Sequence, residues 1–179
     1  MSEKNNPNTT VILHWVIAAS VFFLYISSWW MLALPLPSDA FTYRVLPFQL
    51  HKNIGLSILI FAVVMAALQI KNNGSNDLEA RSRFQKLLNF DHAVIYFLVA
   101  ACCITGYLSS SYSGWGTSFW WIADLPDWAA ENDDLNIFFS DLHMWSCWAL
   151  LAVITLHVGA TIYHAFNDDG LINNMFRLK

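Results

Sequence analysis

The chain has 179 residues, of which 56% are hydrophobic and 12% charged, and its net charge is −4. Soluble domains carry about 25% charged residues, so this composition suits lipid rather than water as the main solvent. The negative balance excludes a nucleic-acid partner, because binding phosphate needs a basic surface.

Four apolar runs follow in chain order, each near the ~20 residues that a helix needs to cross a ~30 Å hydrocarbon core. The first covers residues 10–34 and is closed by Pro35 and Pro37. The second, 51–70, follows Pro47 and precedes Asn72-Asn73-Gly74-Ser75. The third, 92–110, exits at Ser109-Ser110-Ser111. The fourth, 141–166, is stopped by Asn167-Asp168-Asp169-Gly170. Lipid offers backbone groups no partners, so spans of this length should be helices. The first run is too long for a cleaved signal peptide, and no small-x-small site follows it. The expected fold is all-α: one membrane domain over 1–179, an up-down bundle of four transmembrane helices with short loops.

Lys and Arg set the expected orientation. Both termini and the second loop carry Lys4, Lys71, Arg81, Arg83, Lys86, Arg177 and Lys179, whereas the opposite side has only Arg44 and Lys52. This split predicts cytoplasmic termini. Arg81, Arg83 and Lys86 are read mainly as topology signals, with a quinone or lipid headgroup contact as the alternative. The third loop, 111–140, has no Lys or Arg but has Asp124, Asp127, Glu131, Asp133 and Asp134, and should lie outside. It also holds Trp115, Phe119, Trp120, Trp121 and Trp128, while Trp29 and Trp30 leave the first helix on the same side. An interfacial aromatic belt accounts for them; a docking surface or a lid over an outer cofactor is the sharper reading. Residues 118–131 read as a short helix lying flat on the membrane, interrupted by Pro126. Cys102, Cys103 and Cys147 sit in apolar runs without metal-ligand spacing and read as small apolar side chains.

All six histidines, His14, His51, His92, His143, His157 and His164, fall in or at the edge of a span. Polar side chains in spans ask for a reason. Given the expected orientation, His14 lies near the inner face, and His51 and His143 lie near the outer one. His157 follows His143 by fourteen residues, which is about 21 Å along a helix axis and within about 40° of the same face. Depth therefore pairs His14 with His157 toward the inside and His51 with His143 toward the outside. Two imidazoles at one level suit an iron with axial ligands above and below a flat macrocycle. Structural zinc wants four ligands at one point.

These residues resemble the prokaryotic cytochrome b-561 family over nearly the whole chain. The resemblance rests on His14-Trp15, on His51-Lys52-Asn53-Ile54-Gly55, on Asp91-His92 with Tyr96, and on the His143, His157 and His164 spacing. It implies two haem b groups held by His14, His51, His143 and His157, in the pairs that depth suggests. It also implies a multi-pass protein of the bacterial inner membrane that moves electrons between the quinone pool (ubiquinone or menaquinone) and a periplasmic redox protein or superoxide. If the chain is an enzyme, it is a quinone-linked oxidoreductase similar to superoxide oxidases. The acidic outer loop departs from what an anionic substrate would favour and better suits a cationic protein partner.

The remaining polar residues keep two readings each. Lys52 is a propionate contact or a snorkelling lysine. His92 and His164 contact a propionate or quinone, or are satisfied interfacial histidines. Asp91 caps the third helix or relays protons. Gly55, Gly106 and Gly159 admit a macrocycle or close helix packing. No catalytic residue is singled out. The competing functions are a haem-bearing anchor or docking subunit for a periplasmic dehydrogenase, and a histidine-lined permease.

Overall fold

The computed structural model describes residues 7–34, 45–73, 83–126 and 129–166. Four helices run through them: α1 (Pro7–Ala33), α2 (Val45–Asn73), α3 (Arg83–Tyr112) and α4 (Asp133–Phe166). All four are long and apolar enough to cross a membrane. Most of their large side chains face outward, among them Phe22, Phe23, Ile26, Phe97, Trp145 and Leu156. In water such a surface would be prohibitive; in lipid it is the ordinary outer face of a bundle.

The helices outrun the expected spans. Pro47 lies in the first turn of α2, where its missing N–H costs no helical bond. Helix α3 begins at Arg83, so Asp91 sits more than two turns inside it and cannot be its N-cap. The helix also continues through Ser109-Ser110-Ser111, because these side chains find partners: Ser111 Oγ donates to the Tyr107 carbonyl at 3.1 Å, and Ser109 bonds Ser140 on α4 at 2.7 Å. Gly114, at φ +71°, then turns the chain, as a glycine just past a helix end commonly does. Helix α4 starts at Asp133 behind an Asn132 cap, whose Oδ1 accepts from the Leu135 N–H at 3.0 Å. Asp133 and Asp134 in its first turn complement the helix dipole.

Packing follows chain order, α1 on α2, α2 on α3, and most closely α3 on α4. Tyr25 of α1 donates to the Cys147 carbonyl of α4 at 2.6 Å and closes the circuit. The buried core comprises Val21, Ile58, Ala62, Val99, Cys102 and Leu150. Val21, Ile58 and Leu150 each lie seven residues after a histidine, and so on the same helix face as His14, His51 and His143 respectively. The core is thus an apolar layer between two histidine levels.

Residues 118–131 do not form the expected helix. Ser118–Phe119 (β1) pairs antiparallel with Ala123–Asp124 (β2). The turn between them places Trp120 and Trp121 at φ 47° and 57°, with the Ile122 N–H donating to the Phe119 carbonyl at 3.0 Å. Bulky residues at positive φ are strained, and one face of α2 holds them there. Asn53, 0% exposed, accepts from the Trp120 N–H at 3.0 Å, and Ser57 accepts from its indole N–H at 3.1 Å. Gln49 bonds both Gly116 and Ser118. These α2 side chains satisfy backbone and indole groups that a helix lying flat would satisfy differently. Asp127 and Trp128 lie outside the described residues, as do the side chains of Lys4, Arg44, Lys71, Arg81, Arg83, Lys86, Arg177 and Lys179, on which the orientation was argued.

Candidate functional site

The two histidine levels sit at opposite ends of the bundle. At the end where α1 begins and α4 finishes, the ring centroids of His14 and His157 are 6.4 Å apart, at an interplanar angle of 50°. At the hairpin end, those of His51 and His143 are 6.2 Å apart, at 80°. Each couple joins different helices, α1 with α4 and α2 with α4. Imidazole nitrogens bind a metal at about 2.0 Å, so two rings trans on one ion have centres about 6–6.5 Å apart. Both separations fall in that interval. Among the described residues, no group of three or more His, Cys, Asp or Glu is placed to hold a metal ion.

The Nδ1 atoms of His143 and His157 are held as ligation through Nε2 requires. His143 Nδ1 donates to the Cys102 carbonyl at 2.8 Å, across from α4 to α3. His157 Nδ1 donates to Asp91 Oδ2 at 2.6 Å. A carbonyl or carboxylate oxygen can only accept, so Nδ1 carries a proton in both rings, and in the neutral tautomer that leaves Nε2 to bind a metal. His51 Nδ1 is buried and has no hydrogen-bond partner among the described residues. Asp91, read from the sequence as a helix cap or a proton relay, is instead the acceptor for His157. Asp91 stands sixty-six positions before His157, and only the bundle brings them together.

Glycine shapes the hairpin end. A Cβ on Gly106 would stand 3.1 Å from both Cε1 and Nδ1 of His143. That position is therefore glycine so that α3 can accept the ring. A Cβ on Gly55 or Gly159 would meet nothing within 4 Å, so neither residue is needed for packing within the protein. Thiols flank the same level: Cys147 Sγ is 3.7 Å from His143 Nε2 and 3.7 Å from Cys102 Sγ. The i, i+4 spacing of His143 and Cys147 was the available signal for that contact.

The other candidates separate. His92 joins the terminal-end couple: its centroid is 5.2 Å from that of His157, and its Nδ1 donates to the Leu88 carbonyl at 2.7 Å. His164 lies two turns beyond His157 with its ring against Tyr163, centroids 5.5 Å apart. Lys52, next to His51, turns to the loop. Its ammonium donates to Ser110 Oγ at 2.8 Å and to the carbonyls of Trp115 and Gly116 at 3.1 Å each.

Comparison with known proteins gives the same family that the residues resemble. The chain matches the family described as Prokaryotic cytochrome b561 over residues 6–178. It is 27% identical over 173 residues to "Cytochrome b561 homolog 2" of Escherichia coli (strain K12), covering 94% of this chain and 90% of that protein. The chain belongs to the prokaryotic cytochrome b561 family, and is a multi-pass, haem b-binding cytochrome of the bacterial inner membrane that carries electrons across it.

Proposed function

We propose that the chain carries two haem b groups, one between His14 and His157 and one between His51 and His143, and exchanges electrons between the quinone pool and a periplasmic donor or acceptor, superoxide among them. The observation that carries this reading is the pair of imidazole couples with centroids 6.4 and 6.2 Å apart. The apolar surroundings and the open faces at Gly55 and Gly159 also fit a flat, largely apolar macrocycle. When bound, haem would supply a one-electron couple, and two histidine ligands to its iron would favour outer-sphere transfer over oxygen chemistry.

The protein's own contribution is to fix geometry. Gly106 and the Cys102 carbonyl lock the His143 ring, and Asp91 locks that of His157. The core built on Val21, Ile58 and Leu150 excludes water between the levels. The excess of Lys and Arg on the termini and second loop supports a cytoplasmic terminal end and a periplasmic hairpin end. His92 beside the terminal-end level is positioned to bond a propionate or a quinone carbonyl, and His164 is a further candidate there; Lys52 beside the hairpin-end level already bonds Ser110, Trp115 and Gly116 and would have to exchange one of them to reach a propionate.

Purified protein is expected to give a reduced-minus-oxidised b-type spectrum with two haems per chain. Stopped-flow reduction by superoxide, compared with reduction by quinol, then identifies the donor. A folded preparation holding a single haem, or none, would refute the reading.

A second reading is favoured by the hairpin end. There Trp115, Trp121 and Ile122 are exposed beside Asp124, Glu131, Asp133 and Asp134, which are exposed as well. Such a surface suits a cationic periplasmic partner, and the chain would then be its membrane-anchored electron acceptor or donor. Superoxide consumption by the isolated protein with quinone present would contradict this reading.

A further inference from the structure

We infer that Asp91 is a positioning residue that makes the terminal-end haem the lower-potential of the two, so that at equilibrium an electron resides on the hairpin-end haem. The inference rests on the ligand assignment proposed above and goes beyond it. Its basis is the asymmetry between the two levels. His157 hands its Nδ1 proton to a carboxylate oxygen at 2.6 Å, with side-chain exposures of 14% for the histidine and 25% for the aspartate. His143 makes the corresponding bond to a neutral backbone carbonyl, at 2.8 Å. His51 makes none among the described residues.

Two physical effects point the same way. A carboxylate accepting the Nδ1 proton raises the basicity of the ligating nitrogen, and hydrogen bonds of this kind tune the metal. A more basic ligand stabilises the ferric state over the ferrous. The carboxylate also places a negative charge near the iron, and in a largely buried setting that charge favours the more positive oxidation state. Among the described residues, no carboxylate bonds either ring of the hairpin-end level. Cys147 and Gly106 lie against His143, and Lys52 beside His51 is positive. The remaining ring at the terminal end, His92, spends its Nδ1 proton on Leu88 and does not compete for Asp91 through that atom.

The test is spectroelectrochemical titration of the purified, haem-loaded protein. The wild type is expected to titrate as two components. Asp91→Asn keeps the shape but removes the charge. It should raise the lower component by at least about tenfold in its reduction equilibrium, 59 mV for a one-electron couple, and leave the upper component in place. Asp91→Glu, which restores the carboxylate, should return the lower component toward its wild-type position, whereas a merely structural role would not distinguish Asn from Glu in this way. If Asp91→Asn fails to fold or to load, His51→Ala decides the matter. Its remaining haem should titrate as the lower component; titration as the upper one overturns the inference while leaving the ligand assignment intact. Failure of the assignment itself looks different: His51→Ala would then retain both haems. An Asp91→Asn protein with both haems and unchanged potentials overturns the inference outright.

Discussion

The His143 ring rests on the bare backbone of Gly106, so close that a Cβ there would stand 3.1 Å from its Cε1 and Nδ1 atoms. A ring also tethered to the Cys102 carbonyl cannot move aside without losing that bond. Gly106→Val should therefore displace His143. Overpacking costs about 1–3 kcal/mol, which lowers the unfolding midpoint by several degrees in a chain of this size. The expected readout is loss of one haem per chain with the other retained, measured by haem-to-protein ratio.

Single replacements of the paired histidines should act level by level. His14→Ala is expected to remove the terminal-end haem and leave the hairpin-end one, and His51→Ala the reverse. Their reduced spectra should differ from each other and sum to that of the wild type. Loss of both haems from either folded variant would contradict the independence of the two levels.

Lys52 ties α2 to Ser110 of α3 and, through the Trp115 and Gly116 carbonyls, to the loop after it. Hydrogen bonds to a charged group contribute about 1.5–3 kcal/mol each, less where water competes as it does here. Lys52→Met should loosen residues 113–126. Faster proteolytic cutting in that segment, with the helices still intact, is the expected result.

Trp120 and Trp121 occupy a turn that glycine or asparagine would adopt more easily. Trp121 is exposed, so Trp121→Asn should hold or raise the thermal midpoint in detergent. Trp120→Phe gives up the bond to Ser57 at 3.1 Å and should lower it, by about 1 kcal/mol.

Much of this protein was legible in its sequence. The four spans announced themselves through apolar length, and the two levels through the fourteen residues between His143 and His157 on a helix of known rise. The hidden part was relational. Nothing local in Asp91-His92 reveals that the aspartate faces His157 from another helix. Nothing in Trp120-Trp121 reveals a hairpin turn, because the residues that stabilise it, Asn53 and Ser57, lie on α2. Helix boundaries were underestimated where serines and a proline usually end a helix; here Ser109 and Ser111 found partners on α4 and on α3 itself.

The apolar layer of Val21, Ile58, Ala62, Val99, Cys102 and Leu150 has an electrical consequence. The side chains of these six residues are hydrocarbon and one thiol and give a proton no relay, so a charge passing between the two ends through them travels without its counter-charge. Moving one elementary charge across the full membrane works against about 2.3 kcal/mol for every 100 mV. Turnover of this cytochrome in sealed vesicles should therefore generate voltage, and an imposed voltage should speed or stall it according to sign.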